Sequence, residues 1–103
     1  MALSINVVNN ETNASWDVKV SGEIDLSNAH QFKEKLEESL HEKRQNIYID
    51  LEKLSYIDST GLGVIIGVYG SIKKDGYFVR LLNPRDNVKK LLSISGLDKI
   101  LCQ

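Results

Sequence analysis

The chain has 103 residues, 42% hydrophobic and 26% charged, which excludes a disordered chain and fits one domain with one core. The 13 basic and 14 acidic residues leave a net charge of −1, which offers nothing to DNA, RNA or an anionic membrane. The single cysteine, Cys102, can neither close an internal disulfide nor build a multi-cysteine metal site, and a reducing compartment suits it.

Met1 to Ser4 carry no basic residues and no apolar segment of signal length. The apolar run Val64-Ile65-Ile66 is far too short to cross a bilayer. These features predict a cytoplasmic domain spanning residues 1–103, with no membrane partner. Ile5 and Val7 alternate with polar neighbours and predict a strand over residues 3–9. After the polar turn Asn10–Asn13, the alternation of Trp16, Val18 and Val20 predicts a second strand in an antiparallel hairpin, with Trp16 inside. Gly22 ends or bends that strand. From Leu26 to His41 the spacing is helical, with Ala29, Phe32, Leu36 and Leu40 on one stripe. Asp25 and Ser27 both qualify as its cap, and Lys33 and Glu37 can pair across one turn of its wet face.

Ile47 to Leu51 reads as a strand buried on both faces, ending near Asp50, with residues 52–58 as a connection. Leu62, Ile65, Ile66, Tyr69 and Ile72 predict a second helix, with Lys73 and Lys74 in its last turn and Gly76 beyond its end. Tyr77 to Leu82 is a fourth strand. Asn83-Pro84 reads as cap and first position of a third helix carrying Val88, Leu91 and Leu92 and ending at Gly96. Leu97, Ile100 and Leu101 form a final apolar patch, either a short helix or an edge strand. Helical crossovers between strands give parallel neighbours. The expected fold is therefore α/β: one domain, a mixed sheet and amphipathic helices.

The run Asp58-Ser59-Thr60-Gly61-Leu62-Gly63 lies at a strand-to-helix junction and has two readings. In one it is a helix start built from small residues, with Ser59 as its cap. In the other, Ser59 is a modification site, where a phosphate would find free amides and a favourable helix dipole. Gly63 and Gly67, four apart, either let the helix approach the sheet or let a partner approach the helix. Elsewhere the chemistry is sparse. Glu23 and Asp25 resemble an acid pair, but nothing completes a catalytic site around them. His30 and His41 are about three turns apart, too far to chelate one ion together. Gly61-x-Gly63 lacks both the third glycine and the lysine of phosphate-cradling loops. No catalytic residue, metal or cofactor is expected.

Three segments carry a resemblance to a known family. They are Gly22-Glu23-Ile24-Asp25, Leu54 to Gly63, and Ser93-Ile94-Ser95-Gly96-Leu97. Their order and spacing, over nearly the whole chain, resemble the anti-sigma factor antagonist family within the STAS domain class. The resemblance implies a single-domain STAS-like fold, a mixed four- to five-stranded sheet with helices mainly on one face. It implies that Ser59 is the phosphoacceptor of a partner-switching cycle. The unmodified protein binds an anti-sigma factor that is also a serine kinase and frees the sigma factor. Phosphorylation ends the interaction, and a serine phosphatase restores it. Asp25 and Asp58, with Thr60, Gly61, Leu62 and Gly63, match positions near the recognition surface or the phosphosite. The domain is a substrate in this scheme, not an enzyme. The alternative is a STAS scaffold domain within a larger signalling assembly.

Overall fold

A computed structural model describes residues 2–102; Met1 and Gln103, the outermost residues of the expected domain, lie outside the described residues. Eight elements follow in order: β1 (Ser4–Asn10), β2 (Ser15–Ile24), α1 (Ala29–Glu42), β3 (Asn46–Ile57), α2 (Ser59–Lys73), β4 (Val79–Leu82), α3 (Asp86–Ser95) and α4 (Asp98–Leu101). The four strands form one sheet in the order β1-β2-β3-β4. β1 runs antiparallel to β2, whereas β2–β3 and β3–β4 are parallel. The hairpin places the antiparallel edge, and the α1 and α2 crossovers place the parallel strands. The sheet is thus mixed, with the helices packed on one face, as the resemblance implies; β3, read from its apolar run as buried on both faces, alternates buried Ile47, Ile49 and Leu51 with half-buried Tyr48 and Asp50, because helices cover one side alone.

The core lies between that face and the helices. Val18, Ile24, Phe32, Leu36, Ile47, Ile49, Ile65, Ile72 and Leu92 are all buried in it. The predicted α1 stripe of Ala29, Phe32, Leu36 and Leu40 is buried without exception. Trp16 is buried as well, and its indole N–H donates to the Lys43 carbonyl at 2.7 Å. That bond satisfies the one polar atom that would otherwise make the ring costly to bury.

Of the two readings of Gly22, the structure selects the bend, since β2 runs on to Ile24. The Gly22 φ of +93° suits glycine alone, and a Cβ there would stand 2.2 Å from the Ala2 carbonyl oxygen. Several other boundaries differ from the sequence reading. Helix α1 begins at Ala29 rather than Leu26, and its cap position is Asn28 rather than Asp25 or Ser27. The reason is local. The Asp25 carboxylate accepts from the Ser27 amide and hydroxyl at 2.9 and 2.5 Å, closing a turn that delays the helix. β3 continues through the predicted connection to Ile57, because β2 offers it a parallel partner as far as Ile24.

In α2 the buried stripe is Leu62, Ile65, Val68 and Ile72; Ile66 is 45% exposed and Tyr69 only half-buried. β4 starts at Val79, two residues after Tyr77. Asn83 adopts φ +55° and its side-chain Nδ2 donates to Asp50 Oδ1 at 3.4 Å. Pro84 therefore belongs to the turn, and α3 starts at Asp86. Gly76 and Gly96 take the left-handed conformation that the helix ends require. The final apolar patch is the short helix α4, with Leu101 buried. No helix among the described residues is long and apolar enough to cross a membrane.

Candidate functional site

The parallel strands β2 and β3 finish side by side, Ile24 opposite Ile57. The Asp58 amide then donates to the Ile24 carbonyl at 3.2 Å, tying the chain to the sheet one residue before α2 starts. Asp58 is still extended, with φ −106° and ψ −174°, and it is the N-cap of α2. Its Oδ1 accepts from the amides of Thr60 and Gly61 at 2.9 and 3.3 Å, and from the Thr60 hydroxyl. The Leu62 amide donates to the Asp58 carbonyl at 3.1 Å, the first helical bond. Among the orphan amides of the first turn, two are therefore satisfied by one carboxylate.

This arrangement corrects the sequence reading in one respect. Ser59 is the first helical residue and not the cap. Aspartate and serine are equally good caps, so residue type alone could not separate them. What decides is that the chain leaves the sheet at Ile57, which leaves Asp58 extended. Ser59 is exposed, and no hydrogen bond among the described residues engages its hydroxyl. The same network holds the Asp58 carboxyl below the usual aspartate range. The Thr60 hydroxyl contributes most, burial opposes it, and the amides of Gly61, Thr60 and Leu26 each lower the pKa by less.

The other candidate residues divide by exposure. Thr60 is half-buried beneath its bond to Asp58, and Gly63 is exposed. Gly61 and Leu62 are buried. A Cβ on Gly61 would meet Ile24 Cγ2 and Ile57 Cγ1, each at 2.7 Å, so Gly61 is the residue that lets α2 sit on the strand ends. Gly63 and Gly67 have no neighbour within 4 Å of a Cβ, which removes the sheet-approach reading of that pair. They line a surface groove between α1 and α2 with Lys33, Glu37 and Thr60.

Asp25 lies just past the end of β2, in a braced turn beside the cap. Its amide donates to Asn28 Oδ1 at 2.9 Å, and the Asn28 side chain donates to the Glu23 carbonyl at 2.9 Å. The bond from the Asp58 amide to the Ile24 carbonyl, one residue before Asp25, links this turn to the α2 cap. Asp25, Asp58, Ser59 and Thr60 thus come together at one end of the sheet. Leu26, which helical spacing alone places in α1, lies in the same turn and is 78% exposed. An aspartate followed two residues later by serine was the available signal for the turn.

The remaining candidates stand apart. His30 and His41 are exposed on or beside α1. Among the described residues no three His, Cys, Asp or Glu side chains cluster as metal ligands would. Burial pushes the Cys102 thiol up from its ordinary pKa, and Asp98 adds to the shift. Arg80 stacks on Phe78, 4.4 Å from the ring centre, and Lys73 lies 5.6 Å from that of Tyr69.

The STAS domain profile matches residues 6–102 of this chain. The anti-sigma-B factor antagonist of Bacillus subtilis is 37% identical over 101 residues, covering 98% of this chain and 90% of that protein. Among solved structures, a candidate anti-sigma factor antagonist of Thermotoga maritima superposes with a TM-score of 0.86 at 28% identity, covering 95% of this chain and 83% of that one. The Bacillus protein SpoIIAA in its phosphorylated form shares the fold, with a TM-score of 0.73 at 23% identity over 95% of this chain and 88% of that one. The chain belongs to the STAS domain family and, within it, to the anti-sigma factor antagonists.

Proposed function

We propose that this protein is an anti-sigma factor antagonist whose partner binding is switched at Ser59. The observation that carries the reading is an exposed, unbonded hydroxyl at the first position of α2, directly after a cap already satisfied by its neighbours. Modifying that hydroxyl breaks no bond that holds the fold. Family membership supports the partner-switching scheme and a regulatory rather than enzymatic role.

In the proposed cycle the unmodified chain binds an anti-sigma factor that is also a serine kinase, and so releases the sigma factor. The kinase moves the terminal phosphoryl group of ATP to Ser59 Oγ. ADP leaves, and the hydroxyl proton passes to a base on the kinase. A serine phosphatase returns the hydroxyl by hydrolysis, releasing inorganic phosphate. The added group carries about 1.5 to 2 negative charges. Against a partner carboxylate about 6 Å away, at an effective dielectric of about 20, each unit pair costs about 3 kcal/mol. Screening that halves this figure still leaves about a tenfold loss of affinity. Asp58 keeps the first turn of α2 formed throughout, and Asp25 shapes the neighbouring turn.

The test is to incubate the protein with the anti-sigma factor serine kinase of the same organism and ATP, and to map the phosphate by mass spectrometry. Modification is expected at Ser59, with none on Ser59→Ala, and about tenfold or weaker binding of the modified form by isothermal titration. Equal affinity of the two forms refutes the switch.

A further inference from the structure

Leu26 has the largest exposure, 78%, of the big apolar side chains among the described residues. A lone exposed leucine is ordinary on a protein surface. This one differs in its mounting. The Asp25 carboxylate accepts from the Ser27 amide and hydroxyl, the Asn28 side chain braces both the Asp25 amide and the Glu23 carbonyl, and the Asp25 carbonyl accepts from the amides of Asn28 and Ala29 at 3.1 and 2.9 Å. The backbone of the turn is therefore set before any partner arrives, which leaves only the leucine's own rotamers to be ordered on burial. Leu26 stands two residues past Ile24, whose carbonyl accepts from the amide of Asp58, the residue preceding Ser59.

A kinase that acts on Ser59 must cover the surface around it. A standard interface buries about 800 Å² on each side, a disc about 16 Å in radius. Leu26, two residues from the Ile24 carbonyl that holds the Asp58 amide, lies well inside that disc. We propose that Leu26 is the apolar anchor of the kinase-binding surface, received by an apolar socket on the anti-sigma factor kinase beside the place that admits the Ser59 hydroxyl. The inference rests on the Ser59 reading and adds a division of labour to it. Leu26 supplies affinity through desolvation, and Ser59 decides whether the docked position is tolerated. Binding energy concentrates in a few side chains near the centre of an interface that become well packed and fully desolvated.

The experiment uses the full chain and the purified anti-sigma factor serine kinase of the same organism. Leu26→Ala, Leu26→Met, Ser59→Ala and the unaltered protein are compared by isothermal titration, by steady-state phosphorylation and by thermal melting. Removing a buried leucine contact is expected to weaken binding on the order of ten- to a hundredfold. Leu26→Ala should raise the KM of the kinase for this substrate with kcat unchanged, and should melt with the unaltered protein. Leu26→Met should bind within about threefold of it. Unaltered affinity of Leu26→Ala overturns the anchor while leaving the Ser59 switch in place. A lowered melting temperature of Leu26→Ala also overturns it, because the residue would then act on the fold. Undiminished phosphorylation of Ser59→Ala refutes the switch reading whatever Leu26 does.

Discussion

Asp58 holds the first turn of α2 through a carboxylate oxygen that accepts from two amides and a hydroxyl. The cap is therefore ionic in character, and its strength depends on pH with a definite sign. The carboxyl titrates lower in the folded protein than in the unfolded chain. Between the two pKa values the unfolded state holds more protons, so stability falls with falling pH. The contribution of Asp58 is complete above about pH 4 and disappears as pH drops through the folded value. In Asp58→Asn an acceptor remains but the titration is gone. Urea midpoints measured from pH 7 to pH 2 should therefore decline less steeply for Asp58→Asn than for the unaltered protein. Asp58→Ala should lower the midpoint at neutral pH, because the Thr60 and Gly61 amides lose their acceptor. An acid slope unchanged by Asp58→Asn would mean that other carboxylates govern it.

The glycines of α2 have opposite roles that spacing alone does not reveal. Gly61 is closed in by Ile24 and Ile57 at 2.7 Å, whereas Gly63 and Gly67 are open. Gly61→Ala should destabilise the protein by about 1 to 3 kcal/mol through overpacking. Gly63→Ala and Gly67→Ala should stabilise it by up to about 1 kcal/mol through helix propensity. Chemical denaturation of the three variants checks both signs. If the open pair exists to admit a partner, the two stabilised variants should also bind the kinase more weakly. A destabilised Gly63→Ala would mean that α2 needs glycine there for itself. The legibility of the elements follows the same distinction between regular and irregular packing. The α1 stripe was readable because the helix has one apolar side and one charged side. In α2 apolar residues lie on every side, so Ile66 and Val68 compete for the core by spacing alone. The far half of β3 was hidden because Leu51, Leu54 and Ile57 are buried three apart, not two. The β2–β3 register shifts there, between Lys19 and Ser21 and again between Gly22 and Glu23. The junction itself was legible as a place. Its cap was not, because Asp58 and Ser59 are equivalent until the end of β3 is known.

All the helices pack on one side of the sheet, so the ends of β2 and β3 deliver the Asp25 turn and the start of α2 to a common edge. Ligand sites of α/β folds gather at the carboxyl ends of parallel strands for the same topological reason. The protein as a whole carries a formal charge of only −1, and the Asp25 and Asp58 carboxylates already stand at that edge before modification. A phosphate there would add about 1.5 to 2 negative charges beside them. A switch driven by charge must then respond to salt, whereas one driven by bulk or by a lost hydrogen bond need not. Between about 0.01 M and 1 M ionic strength the Debye length shrinks from about 30 to about 3 Å. We expect the ratio of kinase dissociation constants, phosphorylated over unmodified, to fall severalfold across that range. Each form should be titrated at matched ionic strengths, so that salt effects common to both cancel in the ratio. A ratio that stays constant would assign the switch to steric exclusion at Ser59. Repulsion would then contribute little to it.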